Sequence, residues 1–177
     1  MIENRYAERV RQLHEQLGIP EDYAQKSGLC LCAEPDELVL TELDHFGRKQ
    51  RLTPAAFAAW QLMKQSASSE GVSLFLVSAF RSVDYQCQLI RRKLDSGQSI
   101  EQILRVNAAP GFSEHHSGCA IDICTPDSPV LEEDFEATPA YAWMQRRAGE
   151  FGFTLSYPRG NDRGILYEPW HWYFKHS

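Results

Sequence analysis

Between residues 4 and 17 the apolar side chains of Tyr6, Val10, Leu13 and Leu17 recur at three- and four-residue intervals, one stripe of an amphipathic helix that Gly18 and Pro20 end. His14 lies beside that stripe and reads as a packing or surface residue. From residue 29 to 43 the pattern shortens to runs such as Leu29-Cys30-Leu31-Cys32, predicting two strands around a turn at Glu34-Pro35-Asp36, with His45 and Gly47 marking a loop after them. Thr53-Pro54 has the form of an N-cap with proline at the first helical position, and strong helix formers continue to residue 69. A short apolar run over 74–78 predicts a buried strand and 84–94 a helix, so Phe80-Arg81-Ser82 falls at a strand-to-helix junction.

Further on, the pattern predicts a helix over 99–107, a break at Ala109-Pro110-Gly111 and a strand ending near Cys124. A helix over 141–150, extended chain over 153–157 and an aromatic-rich strand over 169–174 follow. Helices and short strands without regular alternation predict an α+β fold, a single domain with helices packed on a small antiparallel sheet. Residues 1–52 read as a helix-and-strand extension packed on a core of 53–177.

Composition narrows the function classes. Across 177 residues the hydrophobic fraction is 43% and the net charge −6. No apolar run approaches the roughly 18 residues of a membrane span, and no global positive field exists to hold nucleic acid. The one basic run, Arg91-Arg92-Lys93, sits in a predicted helix, where a solvated face is expected. The N-terminus interleaves charges with apolar residues, unlike a secretory leader, and the five cysteines lack the spacing of a disulfide framework. A cytoplasmic protein with reduced thiols is the expectation. Cys30 and Cys32 form a lone Cys-x-Cys, which buried or half-buried strand thiols explain better than a metal site.

Four of the six histidines lie in two clusters, His115-His116 and His171 with His176, each with a carboxylate nearby. A catalytic zinc takes three imidazole or carboxylate ligands and leaves a position open for water. His115, Asp122 and His171 make such a set, although His116 competes with His115 on sequence alone. On a strand ending at Asp122, the small residues Gly118 and Ala120 share its face, while Cys119, Ile121 and Ile123 take the other. Glu168, three positions before His171, is placed to act as general base without ligating. Singly, each residue is commonplace: Asp122 and Glu168 read as surface carboxylates and His171 as a satisfied core histidine.

Taken together, Ser113-x-His115-x-x-Gly118-x-Ala120-x-Asp122 and Glu168-Pro169-Trp170-His171, in that chain order, resemble the VanY-like D-alanyl-D-alanine carboxypeptidases. That metallopeptidase group also includes D-Ala-D-Ala dipeptidases, L,D-carboxypeptidases, phage endolysins and the hedgehog domain. The resemblance covers about residues 53–177 and takes in Ser78-Ala79-Phe80-Arg81-Ser82 with Gln86, Phe151-Gly152-Phe153 and Tyr157-Pro158. It departs from the pattern at 161–166, where relatives carry a Thr-Gly pair before the Tyr-Glu-Pro-Trp-His run.

The resemblance implies one Zn2+ held by His115, Asp122 and His171, Glu168 as the base, and Arg81 holding the substrate and the developing oxyanion. Ser113 and Gln86 are implied as further substrate contacts, His116 as a neighbour of the site and His176 as a solvent-exposed residue. The implied substrate is a peptidoglycan-derived peptide ending in D-Ala, cut by D,D- or L,D-cleavage. A cytoplasmic setting favours L,D-cleavage of tetrapeptides, because constitutive D,D-cleavage would consume the cell's own wall precursors. An endolysin-type endopeptidase and a non-catalytic zinc-bearing binding module are the alternatives.

Overall fold

The structure, a computed structural model, describes residues 2–126 and 128–175. In chain order it contains α1 (Ile2–Leu17), α2 (Tyr23–Ser27), β1 (Val39–Leu43), β2 (Lys49–Leu52), α3 (Pro54–Ser69), β3 (Phe75–Ser78), α4 (Val83–Asp95), α5 (Ile100–Leu104), β4 (Ala120–Cys124), α6 (Pro139–Arg147), β5 (Phe153–Leu155) and β6 (His171–Phe174). Strands β1 and β2 form an antiparallel hairpin, and the other four form an antiparallel sheet in the order β3-β4-β6-β5. This is the expected α+β fold. His176 lies outside the described residues, and among those described no helix is long and apolar enough to cross a membrane.

Helix starts follow local chemistry. The hydroxyls of Thr53, Ser82, Ser99 and Thr138 accept backbone N–H groups at the starts of α3, α4, α5 and α6, each capturing a donor that lacks an intrahelical partner. At α5 Gln102 reciprocates, completing a capping box.

Two apolar clusters flank the site. The first packs Trp60 and Met63 of α3 and Trp143 of α6 against Leu76, Ile121, Ile123 and Trp172 of the sheet. Fully burying such a side chain contributes about 1.5–3 kcal/mol. Because strand side chains alternate, committing Ile121, Ile123 and Trp172 to this face turns Asp122 and His171 to the other. The second cluster joins Leu17, Ile19, Tyr23 and Leu29 of the N-terminal segment to Val83, Ile90 and Ile103, with Tyr157 and Ile165. His14 is a packing residue: its Nε2 lies 2.7 Å from the Pro110 carbonyl and its ring packs on Phe112.

The strand expected over the Cys30-Cys32 run is absent, and the turn lies at 44–47 instead of 34–36. Residues 28–38 run as irregular chain that ties other elements together. The Tyr6 hydroxyl donates to the Cys32 carbonyl, Cys32 N–H donates to the Gly111 carbonyl, and Glu34 accepts the Val83 N–H at the start of α4. At the true turn the buried Asp44 carboxylate accepts the N–H groups of Phe46 and Arg48 together with the side chains of Arg48 and Gln50. All five cysteines are unpaired.

Candidate active site and metal centre

Asp122 on β4 stands in register with His171, the first residue of β6. His115 comes from a tight 3-10 turn, Glu114–Ser117, that ends at Gly118 with φ +67. A Cβ at Gly118 would meet Leu38 Cδ2 at 2.8 Å and Thr53 Cγ2 at 3.2 Å, so the motif glycine provides both the left-handed backbone and the room for the chain to turn into β4. The ligand atoms of His115, Asp122 and His171 lie within 4.8 Å of one another, and all three residues are buried.

Proton positions on the two imidazoles reveal what this cluster lacks. His115 Nδ1 lies 2.6 Å from the Ala79 carbonyl, which can only accept, so the proton sits there and a bare Nε2 faces Asp122 Oδ2 at 3.1 Å. Burial pushes the His115 pKa down to about 4, with the Arg81 charge adding to it, so the ring is neutral. His171 Nε2 lies 2.8 Å from Glu114 Oε2, leaving Nδ1 facing Asp122 Oδ1 at 3.0 Å. Burial alone would depress the His171 pKa, but the carboxylates of Asp122 and Glu114 raise it to about 10. Burial likewise opposes ionisation of Asp122, yet the two histidines hold its carboxyl far below the usual range. Lone pairs of His115 and the Asp122 carboxylate thus point at each other, a repulsive contact that a cation between them converts into coordination. Two imidazole nitrogens and one carboxylate oxygen suit zinc, with a position left open toward the cleft.

Glu168 approaches without joining the donor set, its Oε2 lying 3.9 Å from His171 Nδ1. Burial pushes its pKa up to about 7, only partly opposed by His171 and Arg81. Arg81 donates from Nη2 to Asp122 Oδ2 at 3.1 Å and from Nη1 to Gln86 Oε1 at 3.3 Å, while its buried Nε finds no acceptor. Gln86, fully buried, also donates to the Ala108 carbonyl, so its amide is committed to holding Arg81 in place. Ser113 is buried and lines the cleft, which has a volume of about 590 Å³. His116 is no competitor: its Nδ1 faces the Arg81 carbonyl at 2.6 Å and its Nε2 accepts the Gly111 N–H.

Sequence reasoning missed Glu114 and Ser156. Ser156 donates to Glu114 Oε2 at 2.6 Å, so a hydroxyl on the chain leaving β5 anchors the carboxylate that fixes the His171 tautomer. A carboxylate next to the ligand His115 was the available signal, but its target lies 57 positions away. The solvated-face expectation holds for Arg91 and Arg92, which are exposed, and fails for Lys93, which turns into the cleft because α4 packs with that face inward. The divergent loop borders the same cleft through Ile165 and Leu166, held by Leu166 N–H donating to the Arg105 carbonyl.

A three-donor cluster, a partly neutralised carboxyl and a guanidinium thus share one open cleft on an α+β fold, the groups that metal-assisted hydrolysis requires. The profile of the family described as VanY, D-alanyl-D-alanine carboxypeptidase, matches residues 49–177, and the chain belongs to that family. YodJ of Bacillus subtilis (strain 168) is 29% identical over 166 residues, which is 90% of this chain and 57% of that protein, so the chain spans little more than half of that relative's length. The solved structure of the LdcB LD-carboxypeptidase is similar with a TM-score of 0.71 and 30% identity, over 80% of this chain and 69% of the other. A vancomycin resistance D,D-pentapeptidase VanY in complex with Zn(II) shares the fold at a TM-score of 0.61 and 24% identity, over 84% and 87% of the two chains.

Proposed function

We propose that this protein is a zinc-dependent carboxypeptidase that removes the C-terminal D-alanine from peptidoglycan stem peptides, with one zinc per chain held by His115, Asp122 and His171 and a preference for L,D-cleavage of tetrapeptides. The observation that carries the reading is the convergence of His115 Nε2 and His171 Nδ1 on the Asp122 carboxylate, with Glu168 3.9 Å from His171. Zinc bound there supplies Lewis acidity toward the scissile carbonyl and the attacking water.

The chain's own residues do the rest. Glu168, its carboxyl raised toward neutrality, accepts a proton from the attacking water at a carboxylate oxygen and returns it to the nitrogen of departing D-alanine. Arg81, fixed by Asp122 and Gln86, presents a rigid donor fork to the developing oxyanion or the terminal carboxylate. The first apolar cluster closes the back of the sheet, so water reaches the centre from the cleft. The likeness to LdcB supports L,D-cleavage.

Tetrapeptide and pentapeptide muropeptides, with free and amidated C-termini, test the reading when D-Ala release is followed by mass spectrometry. The expected result is release from the free tetrapeptide. Cleavage of the pentapeptide alone reassigns the enzyme to D,D-specificity, and cleavage within amidated peptides makes it an endopeptidase.

A further inference from the structure

Helix α4 presents Gln86, Leu89 and Lys93 to the cleft at spacings of three and four, which places them on one face. Gln86 holds the guanidinium at the reaction centre. Lys93 lies seven residues further along the axis, about 10 Å away at the helical rise. Its Nζ donates to Asn107 Oδ1 at 2.5 Å, and among the described residues it forms no ion pair. The other cations nearby are already matched: Arg48 pairs with Asp44 at 2.7 Å, and Arg81 with Asp122 at 3.1 Å. A neutral amide offsets little of an ammonium's charge, and two of the three Nζ–H donors have no partner among the described residues. Partial burial disfavours the charged form and Arg81 adds repulsion that the Glu168 carboxylate only partly offsets, so the structure keeps a cation where it is electrostatically costly.

We propose that Lys93 binds a second substrate carboxylate, one carried on the side chain of the stem peptide's diamino acid, so that the cleft selects diaminopimelate-containing peptides over their lysine counterparts. This rests on the reading of the protein as a stem-peptide carboxypeptidase. The terminal carboxylate and the oxyanion both lie within one residue of the scissile bond, in reach of Arg81. A cation two helical turns away serves a group further along the substrate. Diaminopimelate carries a carboxylate at the end of a side chain of several carbons. Lysine ends in an ammonium alone, which Lys93 repels.

Kinetics of the wild type, Lys93→Met and Lys93→Glu on matched diaminopimelate and lysine tetrapeptides test this, with binding of both peptides to Glu168→Gln and Glu168→Gln/Lys93→Met protein measured by calorimetry. Methionine keeps the apolar stem, and melting temperatures verify folding. A charge-assisted hydrogen bond predicts that the diaminopimelate-to-lysine ratio of kcat/KM falls roughly ten- to hundredfold in Lys93→Met. The ratio falls further in Lys93→Glu. An unchanged ratio, including equal losses on both peptides, overturns the proposal. If neither peptide is cleaved, the carboxypeptidase reading fails, and calorimetry still decides this one: tighter binding of the diaminopimelate peptide that Lys93→Met abolishes supports it, and equal binding refutes it.

Discussion

His171 Nε2 lies 2.8 Å from Glu114 Oε2, and that contact decides which ring nitrogen faces the donor set. With Nε2 engaged by Glu114, Nδ1 is the ring nitrogen left facing Asp122. Glu114 is in turn fixed by Ser156. The His171 ring is therefore held from both sides before any metal arrives.

Glu114→Ala is expected to weaken zinc binding by about 10- to 100-fold, the range seen when the outer partner of a ligating histidine is removed. Competition with a chromogenic chelator measures it, and Ser156→Ala should give a smaller change in the same direction. Undiminished affinity in Glu114→Ala would mean that Asp122 alone orients the ring.

Asp122→Ala removes the carboxylate that both histidines face and is expected to leave the purified protein nearly free of zinc. Metal analysis by plasma mass spectrometry gives the answer. Full occupancy in this variant would take Asp122 out of the donor set.

Glu168→Gln is expected to retain zinc and lose about 10²- to 10⁴-fold in turnover, the usual contribution of general acid–base catalysis. The same substitution tests the carboxyl's pKa through the stability of the metal-free protein. The folded pKa, about 7, lies above the ordinary value of 4.5, so the carboxyl costs nothing below pH 4.5, destabilises increasingly between pH 4.5 and 7, and exerts its full cost above pH 7. The full cost is roughly 3 kcal/mol at about 1.36 kcal/mol per unit. Thermal melts of metal-free protein at pH 5 and pH 8 should show a gap between wild type and Glu168→Gln that is several-fold larger at pH 8. A pH-independent gap would assign the effect to packing.

Arg81→Lys keeps the charge but loses the planar fork that engages Asp122 and Gln86 together. Activity is expected to fall by ten-fold or more, about 1.4 kcal/mol, with a smaller proportional change in stability. Parallel losses in kcat/KM and melting temperature would mark Arg81 as a structural ion pair.

The grouping of His115, Asp122 and His171 with Glu168 beside them was legible because these residues sit in two short motifs whose spacing survives in any fold that keeps the turn and strands. The family resemblance favours His115 over His116, and the reason is visible in the backbone groups that occupy both nitrogens of His116. The Leu29-Cys30-Leu31-Cys32 run misled because an alternating pattern states that one face can be buried without naming a partner strand. Lys49–Leu52 took that place beside Val39–Leu43, and the Asp44 turn holds the pair.

From the chain alone came the fold class, carried by local periodicity, and the grouping of His115, Asp122 and His171 with Glu168, carried by the spacing of two motifs, while the resemblance to the VanY family pointed to Arg81. Tertiary structure decided what depends on residues distant in sequence meeting: the pairing of Glu114 with His171, the commitment of Gln86 to Arg81 and the turning of Lys93 into the cleft. Spacing reports which side chains share a helix or strand face. The direction of that face, and the partner opposite each charge, follow only when the two apolar clusters close around the sheet.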